Sequence, residues 1–422
     1  MKVVTSLNGK SMQFSLRLLR KNERGFFFIV LFYVAYLIFP FFAEYSHLPI
    51  WLVSVAVSAI LLTKYRTCHQ HTYFKYFLVY ILVLFVYCLA KHPFHINGVS
   101  LSANLFWKLL IEGSWLLPNL IICNVLLFYN NRTLYRILAT YVILIFSISL
   151  LSILPMLLSN SYILRQNVRD MASGIEGISG LPSYTLMSCY SFFFPVICYA
   201  IKISKILAYK LLFICFAVLL AYVIQKTEIT TSFVAVMITI ILTISYHKNN
   251  ISTSVLTFFL VCVIVAISIT TGVMLQFVDF FANVYSGTAA EVKFDAFHEQ
   301  LTGGENEQTA VREYCHALSL NCFEKNIIIG SPGVGEHSSL LDRLGSMGLL
   351  GFIPYSLMLI YNVKEWLSRM QEMTQRFFYL VSMVIILIFL YMKGLFSGEG
   401  VLFMTVLIPT CVVGLGRKQL HR

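Results

Sequence analysis

Charge is what this sequence has least of. Only 12% of its 422 residues are Asp, Glu, Lys or Arg, where an average soluble domain carries about 25%. A single chain in water needs more polar surface than that, which excludes a soluble globular protein. Low hydrophobicity is missing too: 58% of the residues are apolar, which excludes disorder. The chain is also too long for a small secreted disulfide scaffold. No Lys-Ser or Lys-Thr follows its glycine-rich stretch, so there is no Walker loop. No His, Cys and carboxylate set stands at zinc-ligand spacing. No convincing internal repeat is visible, where a transporter built from matching halves should show one. The first apolar run is too long for a cleaved signal peptide and lacks a small-residue cleavage site. It reads as an uncleaved signal anchor.

What is present is apolar length. Mean hydropathy is +0.79, aromatics reach 15%, and the long apolar runs specify membrane helices rather than a β-barrel. A crossing needs about 20 mostly apolar residues. About twelve candidate spans follow, at 25–43, 48–63, 73–91, 103–128, 134–158, 184–201, 208–224, 230–246, 253–277, 337–361, 377–393 and 399–416. The expected fold is therefore an all-α integral membrane protein.

The net charge of +12 suggests nucleic acid until the cations are placed. Lys2, Lys10, Arg17, Arg20, Lys21 and Arg24 precede the first span, and Arg417, Lys418 and Arg422 follow the last. Lys202, Lys205 and Lys210 fall on the same side. Cations crowd cytoplasmic segments, so both termini are expected inside. The basic balance is a topology signal with contact to anionic membrane lipids, and no nucleic-acid partner is expected. The chain then divides into a basic N-terminus (1–24), spans one to nine (25–277), an outer loop (278–336), spans ten to twelve (337–416) and a short inner tail (417–422).

Two outer segments exceed tight turns, 159–183 and 278–336. Loops this long in a compact protein are usually functional or disordered. The second holds Asp279, Glu291, Asp295, Glu299, Glu305, Glu307, Glu313, Glu324 and Glu336. It also holds Cys315 and Cys322, for which two readings stand: a disulfide closing a short ring, or two buried thiols on a short amphipathic helix. The other eight cysteines lie in spans or an inner loop and read as small apolar residues. His69, His71, His92 and His95 read as interface histidines.

The segment with most chemistry is Gly330-Ser331-Pro332-Gly333-Val334-Gly335-Glu336-His337-Ser338-Ser339, which leads into the tenth span. Ser338 or Ser339 can cap the helix start. Backbone amides and the positive dipole end then face outward, where an anion such as a diphosphate is favoured. His337 at that end is expected to stay neutral and able to act as a base. Gly345, Gly348 and Gly351 read as sites of close helix packing. Arg343, beside Asp342, is more than a turn inside the span. It serves either an Arg–Asp pair or a site. Lys108 and Glu112, at i and i+4, read as glue between helices. Arg312 of one outer loop and Arg165 and Arg169 of the other are able to meet over one diphosphate. Three solvated loop residues is the simpler reading of them.

Gly333-Val334-Gly335-Glu336-His337-Ser338-Ser339-Leu340-Leu341-Asp342 followed by Gly348-Leu349-Leu350-Gly351 resembles the O-antigen polymerase and O-antigen ligase superfamily of bacterial membrane glycosyltransferases. The close match covers about 25 residues; the large outer loop and the span number agree as architecture. The resemblance implies a GT-C-like fold in the bacterial inner membrane, with no cofactor and no metal. It implies glycosyl transfer on the periplasmic face from a glycan on undecaprenyl diphosphate. The acceptor is a lipid-linked repeat unit in a polymerase of O-antigen or capsule, and lipid A-core in a ligase. A chain-length regulator is a possible partner. His337 matches the family histidine, with Glu336 second as a base. Arg312 matches the upstream loop arginine, and Arg169 or Arg165 that of the earlier loop. The family's Ser-Arg-Gly at the eighth span is replaced by Gln225-Lys226-Thr227-Glu228, where Lys226 supplies the charge. The polymerase reading leads, the ligase is the alternative, and a polysaccharide transporter is the rival of another class.

Overall fold

A computed structural model describes residues 19–39, 50–65, 71–89, 95–96, 99–100, 105–159, 184–227, 230–247, 273–284, 286–287, 291–302, 307–331, 333–335, 337–392 and 398–416. Almost all are helical. The helices are α1 (Lys21–Ile38), α2 (Ile50–Lys64), α3 (Thr72–Leu89), α4 (Leu105–Tyr129), α5 (Arg132–Ser159), α6 (Tyr184–Ile203), α7 (Leu207–Lys226) and α8 (Thr230–Ser245). Then come α9 (Val273–Val284), α10 (Glu291–Leu301), α11 (Glu307–Lys325), α12 (Ser339–Arg369), α13 (Met373–Met392), α14 (Gly398–Leu402), a π-helical turn (Phe403–Leu407) and α15 (Ile408–Leu415). Two two-residue strands, β1 (His95–Ile96) and β2 (Val99–Ser100), pair antiparallel between α3 and α4.

Helices are what these sequences must form in lipid, because every backbone polar group needs a partner within its own segment. Among the described residues, five helices are long and apolar enough to cross a membrane by length and composition: 132–159, 186–203, 207–226, 339–369 and 373–392. Shorter apolar helices stand at 50–64, 72–87, 116–129, 231–245 and 400–415. Pro118, Pro155, Pro195 and Pro354 lie inside helices, as membrane helices tolerate when neighbours supply the lost partners. Leu207, Leu211, Leu212 and Val218 of α7 and Leu144, Ile148 and Leu151 of α5 are exposed. Such a belt is at home against acyl chains rather than water.

The core is aromatic. Phe146 of α5 meets Tyr190 of α6 with ring centroids 4.4 Å apart, and also Phe193 and Phe403. The Tyr190 hydroxyl lies 2.7 Å from that of Ser149, so the buried polar tip is satisfied. α3 packs along α12, α15 along α5, and α11 along α12.

Every candidate span except the ninth overlays a helix, and residues 253–272 of the ninth lie outside the described residues. Several helix ends are tied to one another by polar contacts. Asn131 before α5 donates to Glu23 of α1 at 3.0 Å, and His71 before α3 lies 3.7 Å from Glu365 near the end of α12. At the opposite ends, Tyr87 of α3 donates to the Met347 carbonyl of α12 at 2.7 Å.

Two expectations need correction, and one open choice is decided. The stretch 278–336 is not one loop: it contains most of α9 and all of α10 and α11. The tenth span is not one continuous helix, because Gly348 breaks it with φ 56° and ψ −162°. Cys315 and Cys322 are free thiols. They share α11 seven residues apart, about 10 Å along the axis, beyond disulfide reach.

Candidate functional site

The glycine-rich turn is held between α11 and α12. After α11 ends, the Gly330 amide donates to the Asn326 carbonyl at 2.7 Å, and the Ser331 amide to the Gly345 carbonyl at 2.9 Å. Gly330 and Gly333 adopt φ of 74° and 94°, backbone that favours glycine. At Gly335 the need is space: a Cβ there would sit 2.1 Å from the Cys315 carbonyl oxygen. One at Gly345 would sit 2.4 Å from the Ser319 carbonyl oxygen. Turn, α11 and α12 therefore touch backbone to backbone, as small residues permit.

Polar groups tie the same three pieces together. Ser319 is buried on α11. Its hydroxyl accepts from the Gly335 amide at 2.9 Å and donates to an Asp342 carboxylate oxygen at 2.6 Å. The other oxygen of Asp342 accepts from the Ser338 amide at 3.1 Å. Ser338 is the N-cap of α12, its hydroxyl accepting from the Leu341 amide at 3.2 Å. A carboxylate at this position also complements the positive end of the helix. Of the two serines expected as caps, Ser338 is the one that serves, with Asp342 in a role its sequence position did not reveal.

His337 stands exposed immediately before this cap. Arg312 is exposed on α11, one turn before Cys315, whose carbonyl abuts Gly335. His316, beside Cys315, places its ring 5.3 Å from that of Tyr391 on α13.

Arg343 is committed elsewhere. Its guanidinium donates to the Tyr80 hydroxyl of α3 and lies 4.4 Å from the Tyr355 ring centroid. Tyr80 and Tyr355 are fully buried, with ring centroids 5.4 Å apart. This is an aromatic clamp between α3 and both halves of α12. Lys226 ends α7, with its ammonium 5.8 Å from the ring centroid of Tyr222 one turn back. α7 packs on α6, α5 and α8, not on the turn's helices as its main partners. Arg165, Arg169 and Glu336, and the side chains of Lys108 and Glu112, lie outside the described residues. Among the described residues, no three His, Cys, Asp or Glu side chains are grouped to hold a metal ion.

The break at Gly348 is a second feature of the site. A Cβ on Gly348 would lie 2.5 Å from the Ile328 carbonyl. The amides beyond the break are taken: Leu349 donates to the Ile327 carbonyl at 2.9 Å, and Leu350 to that of Ile328 at 3.0 Å. The segment 327–331 is in effect a plug that completes the broken helix.

Compared with family models, curated proteins and solved structures, the chain matches none.

Proposed function

We propose that the chain is a membrane glycosyltransferase that polymerises repeat units of O-antigen or capsular polysaccharide. The reading takes twelve spans, a GT-C-like arrangement and an outer, periplasmic site in a bacterial inner membrane. The donor is a glycan on undecaprenyl diphosphate, and the acceptor is a second lipid-linked repeat unit. The observation that carries it is His337: an exposed imidazole at the capped end of α12, on a turn clasped by backbone contacts to α11. Rigid placement of this kind is what a catalytic base needs.

The chemistry assigned is a single displacement. The acceptor oxygen bonds to the anomeric carbon while the bond from that carbon to the diphosphate oxygen breaks, inverting the configuration. His337 takes the hydroxyl proton, with Glu336 second in that role. Arg312 on α11 and Arg165 and Arg169 of the other outer segment offset the charge on the leaving diphosphate. Lys226 is a further cation for it. Arg343, engaged by two tyrosines, serves the scaffold in this reading.

A transporter reading draws on the break in α12, since broken helices form ion and substrate sites in transporters. There the freed backbone groups face a cavity. Here the amides of Leu349 and Leu350 and the carbonyls of Gly345 and Met347 already have protein partners. The break is thereby a packing device.

The test is His337→Ala in cells making the polysaccharide, with envelope glycans run on gels and lipid-linked glycans analysed alongside. The expected result is loss of polymer, with single repeat units accumulating while the protein stays in the membrane. Normal chain lengths would remove His337 from the mechanism. Long polymer trapped on undecaprenyl diphosphate would replace polymerase with ligase.

A further inference from the structure

The helices α9 and α10 form a closed hairpin that the proposed reaction does not use. Their packing is specific. Phe281 of α9 stacks on Phe294 of α10, centroids 5.6 Å apart. His298 Nδ1 lies 2.6 Å from an Asp279 carboxylate oxygen. The turn is capped by Glu291, which accepts from the Gly287 amide at 2.6 Å, with Gly287 at φ 79°.

Helix geometry then settles what α9 shows on its other side. Val278 is 2% exposed, and Asp279 and Phe281 reach α10. Phe277, Phe280 and Val284 recur at i, i+3 and i+7 on the side away from Val278 and Asp279, with Phe281 at its margin. They are 53%, 60% and 59% exposed. Phe281 meets the rings of Phe277 and Phe280 edge-on, at 4.6 and 5.5 Å, so the exposed aromatics form one patch. Three large apolar side chains in a row, bare on a short helix, need a cover.

The sequence next to the patch says what covers it. Residues 253–272, immediately before α9, contain no charged residue, and that length matches one membrane crossing. Taken as a crossing, this run brings α9, whose first five residues close the ninth candidate span, to the depth where an amphipathic helix binds. α10, which meets α9 through Phe281 at the margin of the patch, exposes Asp295 and Glu299 beside Phe297, and its carboxylates stay in water.

We infer that α9 lies in the membrane–water interface, its Phe277–Phe280–Val284 face inserted among phospholipid headgroups and upper acyl chains, with α10 stacked above it. This rests on the chain being membrane-embedded with residues 253–272 as one crossing, and stands whatever reaction the protein performs.

The test places 4-(trifluoromethyl)phenylalanine at position 280 of the full chain, reconstituted in nanodiscs of phosphatidylethanolamine and phosphatidylglycerol. Its fluorine signal should lose intensity with lipids spin-labelled near the headgroup and persist with a water-soluble gadolinium chelate. Loss to the chelate alone would show a face bare in water and overturn the inference. Persistence with both agents would also overturn it, by showing that protein covers the patch. A fluorine at position 295 should give the reverse of the expected pattern, which checks that the hairpin is folded.

Discussion

Gly333 and Gly335 stand two residues apart and are constrained for different reasons. Gly333 has open space around it and only a left-handed φ, so Gly333→Ala is expected to cost about 1–2 kcal/mol. Gly335 faces the Cys315 backbone, which cannot move aside like a side chain. Gly335→Ala should separate α11 from the turn and abolish folded protein. Size-exclusion profiles of the two variants in detergent test this: a monodisperse Gly335→Ala would contradict the clasp. The Ser338 cap was legible because a small polar residue before an apolar run needs only local geometry. The Ser319–Asp342 link was not, since no local pattern joins residues so far apart. The Tyr80–Arg343 clamp was hidden for the same reason, with its partners on helices far apart in the chain.

Among the elements, the apolar helices were readable because about 20 uncharged residues admit few other fates. α10 was not, and α11 was legible only as a short helix around Cys315 and Cys322 rather than as the whole of Glu307–Lys325. Their residues mix polar and apolar with no continuous stripe, so long stretches of both resemble loop sequence. α11 nonetheless sets two thiols in different surroundings. Cys322 is 4% exposed, and burial pushes its thiol above the ordinary range, which withholds the reactive thiolate. Cys315 is half-buried. Alkylation of the native protein followed by peptide mass spectrometry should modify Cys315 well before Cys322; equal rates would contradict the helix packing. The α3–α12 clamp makes a second prediction. Arg343→Lys loses the planar stack and the forked donor, and should lower Tm while transfer persists at a permissive temperature. Lost transfer at an unchanged Tm would instead return Arg343 to the diphosphate site.

For the whole molecule, the alternation of apolar runs and basic flanks assigns each helix end to one of two sides. The pairing of Glu23 with Asn131 and of Tyr87 with Met347 agrees with that assignment. The break at Gly348 lay beyond sequence reasoning, because a glycine that lets helices approach and one that interrupts a helix look alike in one dimension. Its amides find partners only once 327–331 folds back on α12. A capped helix end with an exposed histidine, on a turn clasped to α11, is what carries the proposal of a transfer enzyme. That claim is tested most directly by purified full-length chain in nanodiscs, given a repeat unit on undecaprenyl diphosphate. Wild type should release undecaprenyl diphosphate and lengthen the glycan by one repeat for each lipid released, and His337→Ala should do neither. Substrate left unchanged by folded wild-type protein, or moved across the bilayer without a new glycosidic bond, would contradict the account.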